Sequence, residues 1–181
     1  FKVGSLLAAL SQGYMLGMYV MGFQSTAAAY GFSLLSAFGV AAAYSYIGAC
    51  WLVMKTEGEL QQQAVNWAKK SGWVCFIGVV AVSIVNPAIN PSVFAKWFTW
   101  PNMLLIAPLP VICFALFVVS DRLLKQLPLP GDKKCWLPFV NAVAIFILCF
   151  FGLALSFFPY IVPDQLTIWE SAAAPESLSF I

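Results

Sequence analysis

Charge in this chain is confined to short intervals, and the long stretches between them carry none. No Asp, Glu, Lys or Arg occurs from Gly4 to Met54, from Ser71 to Ala95, from Trp97 to Ser120 or from Cys135 to Pro163. A helix that crosses a bilayer needs about 20 predominantly apolar residues, and these runs supply them. Soluble domains are roughly 25% charged, whereas here charged residues make up 9% and apolar residues 62% of 181. A water-soluble core of this length cannot cover so much apolar surface. Lipid must therefore be the solvent for most of it.

Five segments are predicted to span: 4–23, 32–54, 71–86, 102–120 and 137–158. The third is the shortest, with room to start a turn earlier or to run on to Ile89. Barrel strands would alternate apolar and polar residues over about 10 positions. These runs do not alternate, and in lipid an isolated segment satisfies its backbone only as a helix. The predicted fold is all-α, a polytopic transmembrane helical bundle forming a single membrane domain over 1–181, with five spanning helices and the start of a sixth. Because the chain opens on Phe1 and closes inside another apolar run, both ends read as truncated.

Lys and Arg set the orientation. Lys2, Lys55, Lys69, Lys70, Arg122, Lys125, Lys133 and Lys134 fall on one side, and Lys96 alone falls on the other. The crowded side is expected to be cytoplasmic, with loops 55–70 and 121–136 there and helix one running outward. Residues 57–70 read as a cytoplasmic helix with Trp67 near the headgroups, and Pro128, Pro130 and Gly131 as a tight turn. On the outer side, Pro87, Pro91 and Pro101 read as breakers, and Trp97 and Trp100 as interface anchors. Residues 159–177 read as a polar outer loop punctuated by Pro159, Pro163 and Pro175.

Several function classes are disfavoured. Net charge is only +2, which gives no electrostatic case for nucleic acid. The count of histidines is zero, which removes the usual axial ligand of haem and any nucleophile–His pair within these residues. No ionisable acid or base lies at membrane depth, where proton relays normally mark themselves. Cys50, Cys75, Cys113, Cys135 and Cys149 contain no CxxC pair and read as small apolar residues.

Gly13 and Gly17 form a GxxxG that favours close approach of a second helix, and Ala41, Ala42, Ala43 and Gly48 give the second span a small face. Gln12 and Asn141 are the mid-helix polar groups, expected to hydrogen-bond between helices. Pro108 and Pro110 should kink the fourth span or hold its start unwound. Lys55 closes the second span where a cation suits the helix dipole, and Glu57 is placed to pair with it or with a partner. On physical grounds alone this segment reads as a solvated helix end.

The stretch Gly48-Ala-Cys-Trp-Leu-Val-Met-Lys-Thr-Glu-Gly58, then Glu59-Leu60, resembles a motif of subunit II of cytochrome bd-type quinol oxidases. So do Phe158-Pro-Tyr-Ile-Val-Pro163 and Leu166-Thr-Ile-Trp-Glu-Ser-Ala-Ala-Ala-Pro175. Leu10-Ser-Gln-Gly-Tyr-Met-Leu-Gly17 and Phe32-Ser-Leu-Leu fit the same family in order and spacing. The resemblance implies the C-terminal half or more of a non-haem subunit. In that family haem b and haem d are ligated by the partner, subunit I. Subunit II packs on it in the bacterial inner membrane as a heterodimer, supports haem assembly and in some members holds a structural quinone. Membrane lipid and quinone are the other partners implied. The family's acids associated with proton delivery lie in more N-terminal helices, so no catalytic residue is carried over. Asp is common in the family where this chain has Glu170. The site expectations are structural: Lys55, Thr56, Glu57 and Gly58 as a constrained cytoplasmic turn, and Trp169 and Glu170 on the outer face. The rival readings are half of a secondary transporter, favoured by the broken fourth span, and a membrane scaffold or assembly protein.

Overall fold

A computed structural model describes residues 1–127, 134–163 and 165–172. The Pro128–Gly131 turn, Lys133, Pro175 and the start of a sixth helix lie outside the described residues. The architecture is an all-α polytopic bundle: α1 (Lys2–Val20), α2 (Ala27–Lys55), α3 (Gly58–Ile89), α4 (Pro91–Phe98), α5 (Asn102–Ile106), α6 (Pro108–Gln126) and α7 (Leu137–Phe157). A short antiparallel hairpin, β1 (Tyr160–Val162) and β2 (Leu166–Thr167), follows with Tyr160 opposite Thr167. Among the described residues, five helical stretches are long and apolar enough to cross a membrane, with α5 and α6 counting together as one.

The helix limits have local causes. α1 stops at Val20 because Gly22 and Phe23 take φ of +59° and +56° and turn the chain out of the helix. α2 starts five residues before the predicted span because the Thr26 hydroxyl caps it, accepting from the Ala29 amide at 3.2 Å. The expected cytoplasmic helix and the third span are one helix of 32 residues. Nothing between Gly58 and Asn86 breaks it, and Gln61, Gln62, Gln63, Ala64 and Ala68 are strong helix formers. At 1.5 Å per residue it is about 48 Å long, well beyond a hydrocarbon core of about 30 Å. Pro87 sits inside its last turn rather than ending it. The fourth span is interrupted at Ala107, where Pro108 opens α6 without an amide to donate. Ala107 keeps helical dihedrals, so the interruption is a missing hydrogen bond and not a turn. α6 runs on to Gln126, past the predicted end at Ser120, with Asp121 and Lys125 paired one turn apart at 2.5 Å.

The helices alternate in direction. α1 packs antiparallel on α2, α2 on α3, and α6 on α7, which gathers Lys55, the start of α3, the end of α6 and the start of α7 at one end of the bundle. Two apolar cores result. The larger, at this basic end, joins Cys50, Val53, Ala64, Val65, Phe117 and Leu124. The smaller, at the opposite end, joins Val20, Met21, Ala29, Phe32, Val93 and Phe157.

Candidate functional site

Gly13 and Gly17 are buried along α1 where it crosses α2. A Cβ on Gly13 would lie 2.6 Å from the Ala37 Cα and 2.7 Å from the Ser36 carbonyl oxygen. On Gly17 it would lie 2.4 Å from the Ser33 Cα. These are backbone contacts, which no rotamer change relieves. Only glycine permits the two helices to sit this close. Ser33, fully buried at the contact, donates to the Ala29 carbonyl at 2.7 Å, which satisfies its hydroxyl within α2. Above it, the Tyr44 hydroxyl donates to Gln12 at 2.9 Å, the interhelical bond expected of Gln12. Asn141 behaves otherwise: its buried side-chain nitrogen has no hydrogen-bond partner among the described residues.

Lys55, Thr56, Glu57 and Gly58 form the α2–α3 turn. Lys55 closes α2 and lies over the Trp51 ring, 5.3 Å from its centre. Thr56 leaves the helix in an extended conformation, and its amide and hydroxyl both donate to the Leu52 carbonyl, at 3.0 and 2.7 Å. Both bonds fall on one carbonyl, so the open carbonyls of the last turn are left to other partners. Glu57 stands at the head of α3, exposed and without a side-chain capping bond. Gly58 takes φ +65°, which supplies the sharp reversal. The residue that ties the turn to the bundle is one the sequence reading passed over. Gln61 is 3% exposed, and its amide donates to the Val53 carbonyl at 3.1 Å and meets the Cys135 sulfur at 3.6 Å. A glutamine one turn into a helix looks like any solvated residue; its position opposite an open carbonyl at the end of α2 is what distinguishes it.

Trp169 and Glu170 lie at the far end of the bundle, after the hairpin. The Glu170 carboxylate accepts from the Thr167 amide at 2.8 Å and from the Thr167 hydroxyl at 2.7 Å. The amide bond first, and the hydroxyl bond second, hold this carboxyl below the ordinary glutamate value. Trp169 is exposed and sets its ring edge against Phe158, 6.4 Å between centres. The hairpin is clamped to α1: Tyr19 donates to the Ile161 carbonyl, and Gln165 donates to the Gly22 carbonyl at 2.5 Å. Lys96, the sole cation of this end among the described residues, sits 5.9 Å from the centre of the Phe158 ring, and burial lowers its pKa. The three groups of predicted residues thus occupy a mid-bundle seam and two opposite ends. They do not converge on one site.

Between the two cores lies a cavity of about 290 Å³, walled by α1 through α7. Its walls are mostly aliphatic and aromatic, with polar groups gathered toward the hairpin end. There Asn90 donates to Asn86 at 2.8 Å, and the Trp97 indole donates to Ser156 at 2.9 Å. Trp97 therefore turns inward, correcting its expected place as an interface anchor, while Trp100 stays 72% exposed. No carboxylate, lysine or arginine lines the cavity, and among the described residues no three His, Cys, Asp or Glu side chains converge as a metal site would require. The arrangement offers apolar volume, a few fixed hydrogen-bonding groups and the thiols of Cys75, Cys113 and Cys149.

Compared with known families, the chain matches cytochrome bd terminal oxidase subunit II over residues 1–181. No curated protein matches it.

Proposed function

The chain belongs to the cytochrome bd terminal oxidase subunit II family, and on that premise we propose that it holds the haem-bearing subunit I in shape without ligating haem itself. It is a multi-pass membrane subunit of a terminal quinol oxidase complex, and hence part of an oxidoreductase. The observation that carries the finer reading is what its interior is made of. Helices meet backbone to backbone at Gly13 and Gly17, and the cavity walls contain no acid, base or histidine. Such an interior suits a rigid buttress. Haem b and haem d, bound in subunit I, supply the oxygen chemistry of the complex, and no residue here is assigned to them. The excess of Lys and Arg at the α2–α3 end supports a cytoplasmic placement of that end, in a bacterial inner membrane. Where the complex holds a structural quinone in this subunit, the aliphatic walls of the central cavity suit its tail.

In this reading the α2–α3 turn is a contact surface. Thr56 and Gly58 fix its shape internally, which leaves the Glu57 carboxylate exposed for a partner. Purification of the oxidase complex tests it. Glu57→Ala is expected to lower the yield of haem-loaded complex without changing the haem spectrum of what does assemble. Normal yield and normal oxygen uptake refute the contact. A stoichiometric complex with no haem d absorption and no oxygen uptake removes the oxidase reading altogether. The transporter and scaffold readings predict substrate flux in liposomes without a respiratory substrate, or purification without a haem partner. Family membership favours neither.

A further inference from the structure

A second, smaller cavity of about 230 Å³ opens between α3 and α6 at the basic end of the bundle. It differs from the central one in having a direction. Its inner part is aromatic, with Trp73 and Phe76 from α3 facing Phe114 and Phe117 from α6. Its outer part is charged, with Lys69 one turn before Trp73, and Asp121, Arg122 and Lys125 following Phe117. From Lys69 to Phe76 the helix rises about 10 Å, so the groove passes from cations to hydrocarbon over that distance. The charges at its mouth do not cancel. Lys125 is committed to Asp121 at 2.5 Å, whereas Lys69 and Arg122 make no ion pair among the described residues. The floor is closed and satisfied: the Tyr46 and Ser120 hydroxyls bond each other at 2.6 Å, and Gly72 lets the Tyr46 ring lie flat against α3.

We infer that this groove is a binding site for an anionic phospholipid, with its phosphate at Lys69 and Arg122 and an acyl chain along Trp73, Phe76 and Phe114. The charge pattern selects this occupant. A purely apolar partner would leave two cations facing it, and a soluble anion would leave exposed aromatic walls uncovered. Trp73 is 55% exposed and Phe114 is 55% exposed, and an acyl chain covers both. A guanidinium beside an ammonium is the donor set that binds a phosphodiester between membrane helices.

The test uses the purified oxidase complex in nanodiscs containing either phosphatidylglycerol or phosphatidylcholine with a diazirine in one acyl chain. Photolysis is followed by peptide mapping. The expected result is adducts on the peptides spanning 69–76 and 114–125, favouring the anionic lipid. Lys69→Gln and Arg122→Gln should each reduce that labelling about fivefold, and Lys70→Gln, which removes an exposed charge outside the groove, should not. Comparison of the two lipids on the unaltered complex stands on its own if a variant fails to assemble. Equal labelling by both lipids overturns the proposal, since the groove is then merely greasy. Absence of labelling by either also overturns it, because a quinone or the partner subunit then fills the space.

Discussion

The α1–α2 seam and the α3–α6 groove join helices of the same bundle by opposite means. In the seam, glycines bring backbones together until a single methyl has no place, 2.4 Å from the Ser33 Cα. In the groove, aromatic rings hold the helices apart, with Phe76 and Phe117 5.4 Å between centres, and about 230 Å³ stays open. Hydrophobicity cannot explain the contrast, because lipid solvates a leucine as well as a protein interior does. What remains is contact area and hydrogen bonding. A seam of small residues maximises the first over a long crossing. An aromatic junction, floored by the Tyr46–Ser120 bond between α2 and α6, leaves space that something else can occupy. Rigidity and ligand capacity are therefore assigned to different helix pairs.

The largest effect should come from filling the seam. Gly17→Leu puts a side chain where the Ser33 backbone already stands, and the helices must separate along the crossing. A loss of about 3 kcal/mol or more is expected, read as a fall in thermal midpoint and in yield of haem-loaded complex. Gly31→Ala is the control, since a Cβ there meets nothing within 4 Å. It should be neutral or stabilising by up to about 1 kcal/mol. If both variants behave alike, glycine in the seam is incidental and the contrast with the groove fails.

The next effect belongs to the groove floor. Tyr46→Phe removes a buried bond of 2.6 Å and leaves the Ser120 hydroxyl unpaired at 2% exposure. About 1–2 kcal/mol should be lost, toward the lower end if Ser120 turns back to the carbonyl one turn earlier. Ser120→Ala in the Tyr46→Phe background should then add little, and a double-mutant cycle measures the coupling directly. Additive losses would mean that the two hydroxyls are not partners.

Much of this is legible in the sequence. The spacing of Asp, Glu, Lys and Arg marks all five spans, and Gly13 and Gly17 announce a close crossing. Their partners, Ser33 and Ala37, are less visible, because a small face on α2 runs over many residues. Where sequence and structure part, the cause is non-local. Tyr46 and Ser120 are 74 residues apart, as are Gln61 and Cys135, and neither pair has a local pattern. Residues 57–70 look like a separate helix because their polarity changes at Ser71, but backbone hydrogen bonding takes no notice of polarity. Trp97 looks like a headgroup anchor because tryptophan has both an apolar body and a donor. Ser156 satisfies that donor from inside the bundle. The two-strand hairpin is too short to show a period.

A smaller effect is expected at the α2–α3 turn. Gly58 has open space around its missing Cβ, so the constraint there is conformational and not steric. At φ +65° an alanine pays for left-handed backbone geometry, about 1 kcal/mol. Gly58→Asn should lose less, because asparagine tolerates that region. The two thermal midpoints separate the explanations. Equal losses would point to hidden crowding and would make the turn resemble the seam rather than contrast with it.

The smallest effect concerns the hairpin end and is read through pH. Thr167 donates its amide and its hydroxyl to the Glu170 carboxylate, which favours the charged form and holds the folded-state pKa below that of the unfolded chain. The sign follows from that order. The stabilisation is fully present above the ordinary glutamate value of about 4.3. It is lost as pH falls through the lower, folded-state value, where protonation withdraws the acceptor. Because Glu170 is exposed, the change should stay local. Hydrogen exchange at the Thr167 amide, corrected for intrinsic rate, should lose protection in that acid window. Protection in the α1–α2 seam should not change. Glu170→Gln keeps a weaker acceptor that cannot titrate, so its Thr167 protection should be lower at neutral pH and flat through the same window. A pH response that survives in this variant would assign the titration to another group.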